Sequence, residues 1–321
     1  MDEMAATMDA VMQGQCSDGE IAMLLTALRE KGETFEEIAG AALGLRRRMT
    51  PIRSARTGMI DTCGTGGDAS GTFNVSTAAA IVTAAAGLPV AKHGNRSITS
   101  RSGSADALAA LGVNINADVA CVERCLDELG ICFCFAPLLH QSMKQVAPVR
   151  QKLGVPTIFN LLGPLTNPAG AQYQLVGVGR AELRPLLARA LRLLGIRRAL
   201  VVRGEDGLDE LTVAGPTRIT EVTHEGEREF TWTPDDFGLP TGELADLQIS
   251  APAESAEMIR GILRGEPGPP RDITVLNAAA ALWTAGHATT PPAAASMAAQ
   301  AIDSSRAREL LARLVQLTND G

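Results

Sequence analysis

Asp61-Thr62-Cys63-Gly64-Thr65-Gly66-Gly67-Asp68, with Asn74-Val75-Ser76-Thr77 just after it, is the stretch on which the fold turns. Met59 and Ile60 lead in as a short apolar run, and Ala78 to Ala86 follow as a helix-forming stretch. The order is strand, glycine-rich turn, helix. Glycine lets the backbone approach a ligand closely and adopt positive φ, and a helix N-terminus turns unpaired N–H groups toward an anion. Ser76 and Thr77 fall where the helix starts, where a hydroxyl caps the helix or touches a phosphate. The stretch reads as a phosphate cradle of neither common type. No Lys-Ser/Thr pair of a Walker loop follows it, and its glycine spacing is not that of a dinucleotide turn. Asp61 and Asp68, one at each end, would repel phosphate unless they bind a sugar hydroxyl or a metal ion.

Working outward from this turn, short β-branched runs alternate with Ala/Leu-rich stretches. Candidate strands are Val90–Lys92, Ile131–Phe133, Leu175–Val178 and Ala199–Val202, and candidate helices are 104–111, 119–128, 182–194, 254–263, 272–285 and 291–314. That alternation predicts an α/β fold with a central, largely parallel sheet. Upstream, residues 3–48 carry helical periodicity. Ile21, Leu24, Leu25 and Leu28 form one stripe, and Ile38, Ala41, Ala42 and Leu45 form another. Ser17-Asp18-Gly19-Glu20 and Thr34-Phe35-Glu36-Glu37 read as helix starts, and Arg46-Arg47-Arg48 as a solvated helix end. The expected organisation is a small helical domain of residues 1–53, joined by an inserted helical segment at about 140–168. A large α/β domain of 54–139 and 169–321 completes the chain.

The chain of 321 residues is long enough for a large core, and 45% hydrophobic with only 3% aromatic residues makes that core Ala, Leu, Val and Ile. A net charge of −7 without a basic patch argues against a nucleic-acid surface. No apolar run approaches the ~18 residues of a membrane span, and the acidic Met1–Met4 start is unlike a signal peptide. Six cysteines, with Cys121/Cys125 at helical and Cys132/Cys134 at strand spacing and no CxxC pair, suit buried thiols in a reducing cytoplasm rather than a metal site.

Three more clusters carry chemistry. Lys92-His93-Gly94-Asn95-Arg96-Ser97, continuing through Ile98, Thr99 and Ser100 to Ser104, offers the cations, amide and hydroxyls that a polyphosphate needs. His140 to Arg150 supplies Lys144 and Arg150; an arginine clamps a carboxylate bidentately, and Asn160–Pro168 beside it mixes apolar residues and turn formers that suit an aromatic pocket wall. Gly204-Glu205-Asp206-Gly207-Leu208-Asp209-Glu210 places carboxylates at the C-terminal end of a strand, where they suit a hard cation.

From about residue 17 onward these motifs, in this order, resemble the anthranilate phosphoribosyltransferase family: DTCGTGGD (61–68), NVST (74–77), KHGNRS (92–97), APVR (147–150), NLLGPLTNP (160–168) and GEDGLDE (204–210). The resemblance implies transfer of a phosphoribosyl group from 5-phosphoribosyl 1-diphosphate to the amine of anthranilate, dependent on Mg2+ with two ions, in a cytoplasmic homodimer of tryptophan biosynthesis. By motif, Gly64, Gly67, Asp68, Thr72, Asn74, Val75, Ser76 and Thr77, then Lys92, His93, Gly94, Asn95, Arg96, Ser97, Ile98, Thr99, Ser100 and Ser104, would hold the donor. Gly64, Asn95 and Arg150 would hold anthranilate, and Ser76, Asp209 and Glu210 the metal. His93 would be a pocket wall, and no catalytic residue beyond Lys92 in support is implied. The competing readings are a pyrimidine nucleoside phosphorylase of the same fold and a relative that has lost transfer and binds nucleic acid. Arg150 and the full Lys92–Ser97 motif favour the transferase over the first, and the lack of a basic surface argues against the second.

Overall fold

In the computed structural model, which describes residues 1–97 and 101–320, the strands form one seven-stranded sheet in the order β3-β2-β1-β4-β5-β6-β7. These are β1 (Ile60–Gly64), β2 (Val90–Gly94), β3 (Ile131–Phe135), β4 (Tyr173–Gly177), β5 (Arg198–Gly204), β6 (Thr217–Thr223) and β7 (Glu227–Trp232). β1 to β5 run parallel, and β6 and β7 continue antiparallel. The chain steps outward from β1 to β3, then returns to β4 on the other side of β1. That reversal leaves a crevice outside the C-terminal ends of β1 and β4, the place where open α/β sheets bind ligands. Gly64 and Gly177 are register partners at its floor.

Residue alternation along the strands divides the interior in two. Leu175 of β4 with Leu200 and Val202 of β5 join a core with α4 (Val75–Ala85) and the helix Pro269–Thr284. Val176, Ala199 and Val201 face the other way. They join a second core with the helix Leu183–Leu193 and the N-terminal helices α1 (Asp2–Met12), α2 (Asp18–Lys31) and α3 (Phe35–Arg46). Val146, Val149, Ile158, Phe159, Leu162 and Leu165, from the short helices between β3 and β4, belong to that second core.

Both expected helix starts are reciprocal capping boxes. Ser17 Oγ accepts from the Glu20 N–H at 3.3 Å while Glu20 accepts from the Ser17 N–H at 2.8 Å, and Thr34 and Glu37 repeat the pattern. The basic run after α3 is only partly solvated: Arg48 pairs with Asp9 at 2.7 Å, and Arg46 donates to the Leu165 carbonyl at 2.7 Å.

Three sequence expectations need correction. The stretch 291–314 is two helices, Pro291–Asp303 and Arg306–Asn319, because Ser304 donates back to the Gln300 carbonyl and Ser305 turns left-handed at φ 64°. The segment 119–128 is helical only to Arg124 and closes in a wider turn over Cys125–Leu129, ended by left-handed Gly130. The hairpin of β6 and β7 was not anticipated. No helix among the described residues is long and apolar enough to cross a membrane.

Candidate active site

Parallel β1 delivers Gly64 to the crevice, and the loop after it returns to the sheet where the Thr65 N–H bonds the Gly177 carbonyl at 2.9 Å. The far side of the loop is pinned by Thr72, bridged to Gln248, and by the Phe73 N–H on the Leu247 carbonyl at 2.8 Å. The acidic loop after β5 then lies directly over β1 and β4. A Cβ on Gly177 would sit 1.5 Å from the Asp209 carbonyl oxygen, and one on Gly64 would sit 2.7 Å from Asp209 Oδ2. Close approach of the Asp209 backbone, rather than a turn, is what demands glycine at Gly177; at Gly64 the neighbour is a side-chain oxygen.

That approach brings the Asp209 carboxylate to the Gly66 N–H at 3.1 Å and Glu210 Oε1 to the Ser76 N–H at 3.1 Å, on the first turn of α4. Lys92 reaches the same place from β2, with Nζ donating to Ser76 Oγ at 3.1 Å and to the Thr62 carbonyl at 2.5 Å. Burial pushes the Asp209 carboxyl up to about 7, with the Asp68 charge adding to it and the Gly66 N–H and Lys92 opposing. Burial and then the Asp209 charge raise Glu210 well above the usual carboxylate value, while burial lowers Lys92 against the pull of the neighbouring carboxylates. Asp68 Oδ2 is buried and has no hydrogen-bond partner among the described residues. Carboxylates gathered around one buried ammonium bind either a proton or a further cation. Among the described residues no three His, Cys, Asp or Glu side chains form a closed metal cage. The arrangement therefore suits a hard cation held by one or two carboxylates that completes its shell with substrate oxygens.

The other two carboxylates of that loop are structural. Asp206 accepts from the Leu208 N–H and the Thr212 hydroxyl, and Glu205 pairs with Arg218 at 2.9 Å. Asn277, fully buried on the helix Pro269–Thr284, clamps both backbone groups of Leu211, one residue past Glu210. Nothing in the sequence around Asn277 marked it; its signal is a lone amide inside an apolar helix.

Several expected donor-site residues have different surroundings from those foreseen. Asp61 is wholly buried, accepting from the His93 N–H at 3.0 Å and the Asn167 amide at 2.8 Å. Its carboxylate is engaged inside the protein, because Asp61 is the second residue of β1 and only the C-terminal end of that strand reaches the crevice. Thr77 is fully buried too; its hydroxyl has no partner among the described residues, and the residue lines a small interior cavity with Leu108, Ile131 and Phe133. Its side chain therefore points away from the cradle. The Asn74 side chain is already engaged, by the Ser102 and Ser255 hydroxyls at its oxygen and the Ser102 carbonyl at its nitrogen. It shapes the loop. Asn95 and Arg96 are exposed beyond β2; Arg96 pairs with Asp106 at 2.8 Å, and the same carboxylate takes the Ser97 and Gly103 N–H groups. Ser104 donates to the Asn95 carbonyl at 3.4 Å. Ile98, Thr99 and Ser100 lie outside the described residues.

Arg150 stands on the helix Ala147–Leu153, its guanidinium 5.4 Å over the Phe159 ring and 3.4 Å from Asn160 Oδ1. The segment it touches joins the sheet at its other end. The Gly163 carbonyl meets His93 Nδ1 at 2.9 Å, and Asn167 Nδ2 donates to Asp61 and to the Ala91 carbonyl at 2.7 Å. The Asn160–Pro168 segment thus runs from Arg150 to β2, the strand that leads into Asn95.

Residues 1–49 match the family described as glycosyl transferase family, helical bundle domain, and residues 56–308 match glycosyl transferase family, a/b domain. The anthranilate phosphoribosyltransferase of Moorella thermoacetica is 50% identical over 98% of this chain and 92% of its own length. That of Rhodospirillum rubrum is 52% identical over 96% and 89%. The crystal structure of the Thermus thermophilus anthranilate phosphoribosyltransferase superposes with a TM-score of 0.93 at 44% identity, covering 98% of this chain and 94% of that one. The Saccharomyces cerevisiae enzyme in complex with PRPP and Mg superposes at 0.91 with 28% identity, covering 100% and 93%. With identity of this order over nearly the whole of both chains, and both the helical and the a/b regions matched, the chain belongs to the anthranilate phosphoribosyltransferase family.

Proposed function

We propose that the chain transfers the phosphoribosyl group of 5-phosphoribosyl 1-diphosphate to the amine of anthranilate in the crevice outside β1, β2 and β4, releasing diphosphate. The observation that carries this reading is the meeting of Asp209, Glu210, Ser76 and Lys92 over the glycine-rich turn. Gly64, Gly67 and Asp68, with the first turn of α4, frame the donor. Thr72 and Asn74 hold that frame in place, and Asn95, Arg96, Ser97 and Ser104 close it from β2.

Asp209, Glu210 and the Ser76 hydroxyl would hold Mg2+. When bound, the cation supplies positive charge against the diphosphate and the charge that builds on it as it leaves. Lys92 adds a fixed cation from behind Ser76, and backbone N–H groups of the turn act where leaving charge develops. Anthranilate's amine is neutral at pH 7 and needs positioning more than activation. Arg150 is the partner for its carboxylate, with Gly64 and Asn95 completing the acceptor site. A count of two Mg2+ ions, a homodimer through the helical unit (1–53 with 140–168), and a cytoplasmic setting belong to the same reading. Metal titration and sedimentation check the first two.

The deciding assay follows loss of anthranilate fluorescence with the donor and Mg2+, with and without EDTA. Loss that EDTA abolishes is the expected result, and none in either arm overturns the reading. In the same assay Arg150→Ala raises KM for anthranilate about tenfold to a hundredfold, as for one hydrogen-bonded charge pair, with far less effect on KM for the donor.

A further inference from the structure

The four histidines divide into two exposed ones, His224 and His287, and two buried ones, His93 and His140, which touch. His93 is 7% and His140 5% exposed, and their Nε2 atoms lie 3.1 Å apart. His93 Nδ1 lies 2.9 Å from the Gly163 carbonyl, which only accepts. Its proton therefore sits on Nδ1. In a neutral ring that leaves Nε2 as an acceptor, so a neutral His140 gives its one proton from Nε2 to His93 and not from its other nitrogen to the Thr166 backbone. We propose that His140 is a positioning residue for the acceptor site: it fixes His93 as the neutral Nδ1–H tautomer, uses its last free nitrogen, and leaves it as a ring wall with no base to offer.

The surroundings agree. Burial drives His140 down to about 3, His93 pushes it the same way, and the Thr166 backbone opposes. Burial also lowers His93, with Lys92 acting in the same direction and Asp61 and the Gly163 carbonyl opposing. Groups facing the pair are thus Asp61 from β1, Lys92 from β2, and the Gly163 and Thr166 backbone from the returning segment, with Asn167 holding Asp61. Both rings stay neutral at pH 7, since a depressed pKa keeps a histidine uncharged above it.

The chemistry tolerates the loss of a base. The amine lone pair forms the C1–N bond as the C1–O bond breaks and its electron pair departs with diphosphate. The resulting aryl ammonium is a strong acid and gives its proton to water or the departing diphosphate. His93 then serves by shape. Its ring bridges β2, which leads into Asn95, and the segment that touches Arg150, so a rotated ring disturbs the acceptor more than the donor. This last step rests on the proposed function; the tautomer does not.

The test is histidine nitrogen NMR of the full chain from about pH 5 to 9, alongside kinetics. His93 is expected to show a protonated Nδ1, a bare Nε2 and a neutral ring at pH 7. His140→Phe should leave His93 Nε2 without its donor, seen as a shifted Nε2 resonance, and raise KM for anthranilate about tenfold, the effect of one lost buried hydrogen bond, with KM for the donor and kcat little changed. His140→Gln, which keeps a donor at the Nε2 position, should restore both. A protonated His93 Nε2, a charged pair sharing one proton, or equal KM effects without rescue by Gln overturns the proposal. Absence of any turnover in the unaltered chain would instead strike the functional reading and leave the tautomer to the spectra.

Discussion

Asp209 and Glu210 are held where like charge is costly, and that has a measurable sign. A carboxyl whose folded pKa is raised binds more protons folded than unfolded between its ordinary value and its shifted one. Stability therefore falls as pH rises through that window, here from about 4 to about 7 for Asp209. His140 acts oppositely: its depressed pKa of about 3 makes stability rise with pH up to the ordinary histidine value. A wild-type profile alone would mix the two. The difference between wild type and Asp209→Asn/Glu210→Gln isolates the carboxylates. In EDTA the double variant should melt higher than wild type at pH 8, by the few degrees that ~1 kcal/mol confers on a chain of this size, and the gap should shrink toward pH 5. Added Mg2+ should raise the wild-type Tm and leave that of the variant unmoved. Equal Mg2+ stabilisation of both would return these residues to an ordinary acidic turn.

At the scale of elements, what was legible in the sequence followed local rules. The capping boxes at Ser17 and Thr34 and the strand–turn–helix around Asp61–Ala86 are short-range patterns; the order is as read, though the strand runs on to Gly64, into the stretch read as the turn, and the helix starts at Val75. β7 was not legible because it is largely exposed, with Glu227, Arg228 and Glu229 in solvent, and β6 because Thr217, Thr220 and Glu221, though buried, break up its apolar run. Nor was the role of Asp61 readable: whether a carboxylate near a glycine turn meets ligand or core depends on which strand position reaches the crevice. The same limit hid Gly177, which looked like an ordinary strand residue. Its requirement comes from a loop more than thirty residues later in the chain. Gly177→Ala puts a methyl into the Asp209 carbonyl, a backbone atom that cannot rotate aside. It should cost on the order of 3 kcal/mol as an overpacking change and lower metal-dependent activity with it. A urea midpoint and turnover both at wild-type values would mean that the two backbones do not meet.

Over the whole molecule, two cores share one sheet, and the cleft between them is tied at its base by a few buried polar bonds. Asn167 is the densest of these ties. Its amide nitrogen bonds Asp61 on β1 and the Ala91 carbonyl on β2, and its oxygen takes the Ala169 N–H at 2.9 Å. Asp61 in turn holds the His93 N–H. The carboxyl is raised chiefly by burial, with His93, Asn167 and Lys92 working against that rise. Removing Asn167 strands Asp61 without its side-chain donor, and an uncompensated buried group costs more than the bond itself contributed. Asn167→Leu should therefore destabilise by about 3 kcal/mol, seen as a lower urea midpoint at unchanged slope. Asp61→Leu in the same chain should recover part of the loss, because the orphaned carboxyl is gone. That non-additivity separates a polar tie from simple packing. The tie also connects the acceptor wall to the donor cradle, so Asn167→Leu should raise KM for anthranilate even where the protein is fully folded. Strict additivity of the two substitutions, or a midpoint shift with both KM values unchanged, would show that the two walls are positioned by their apolar contacts alone.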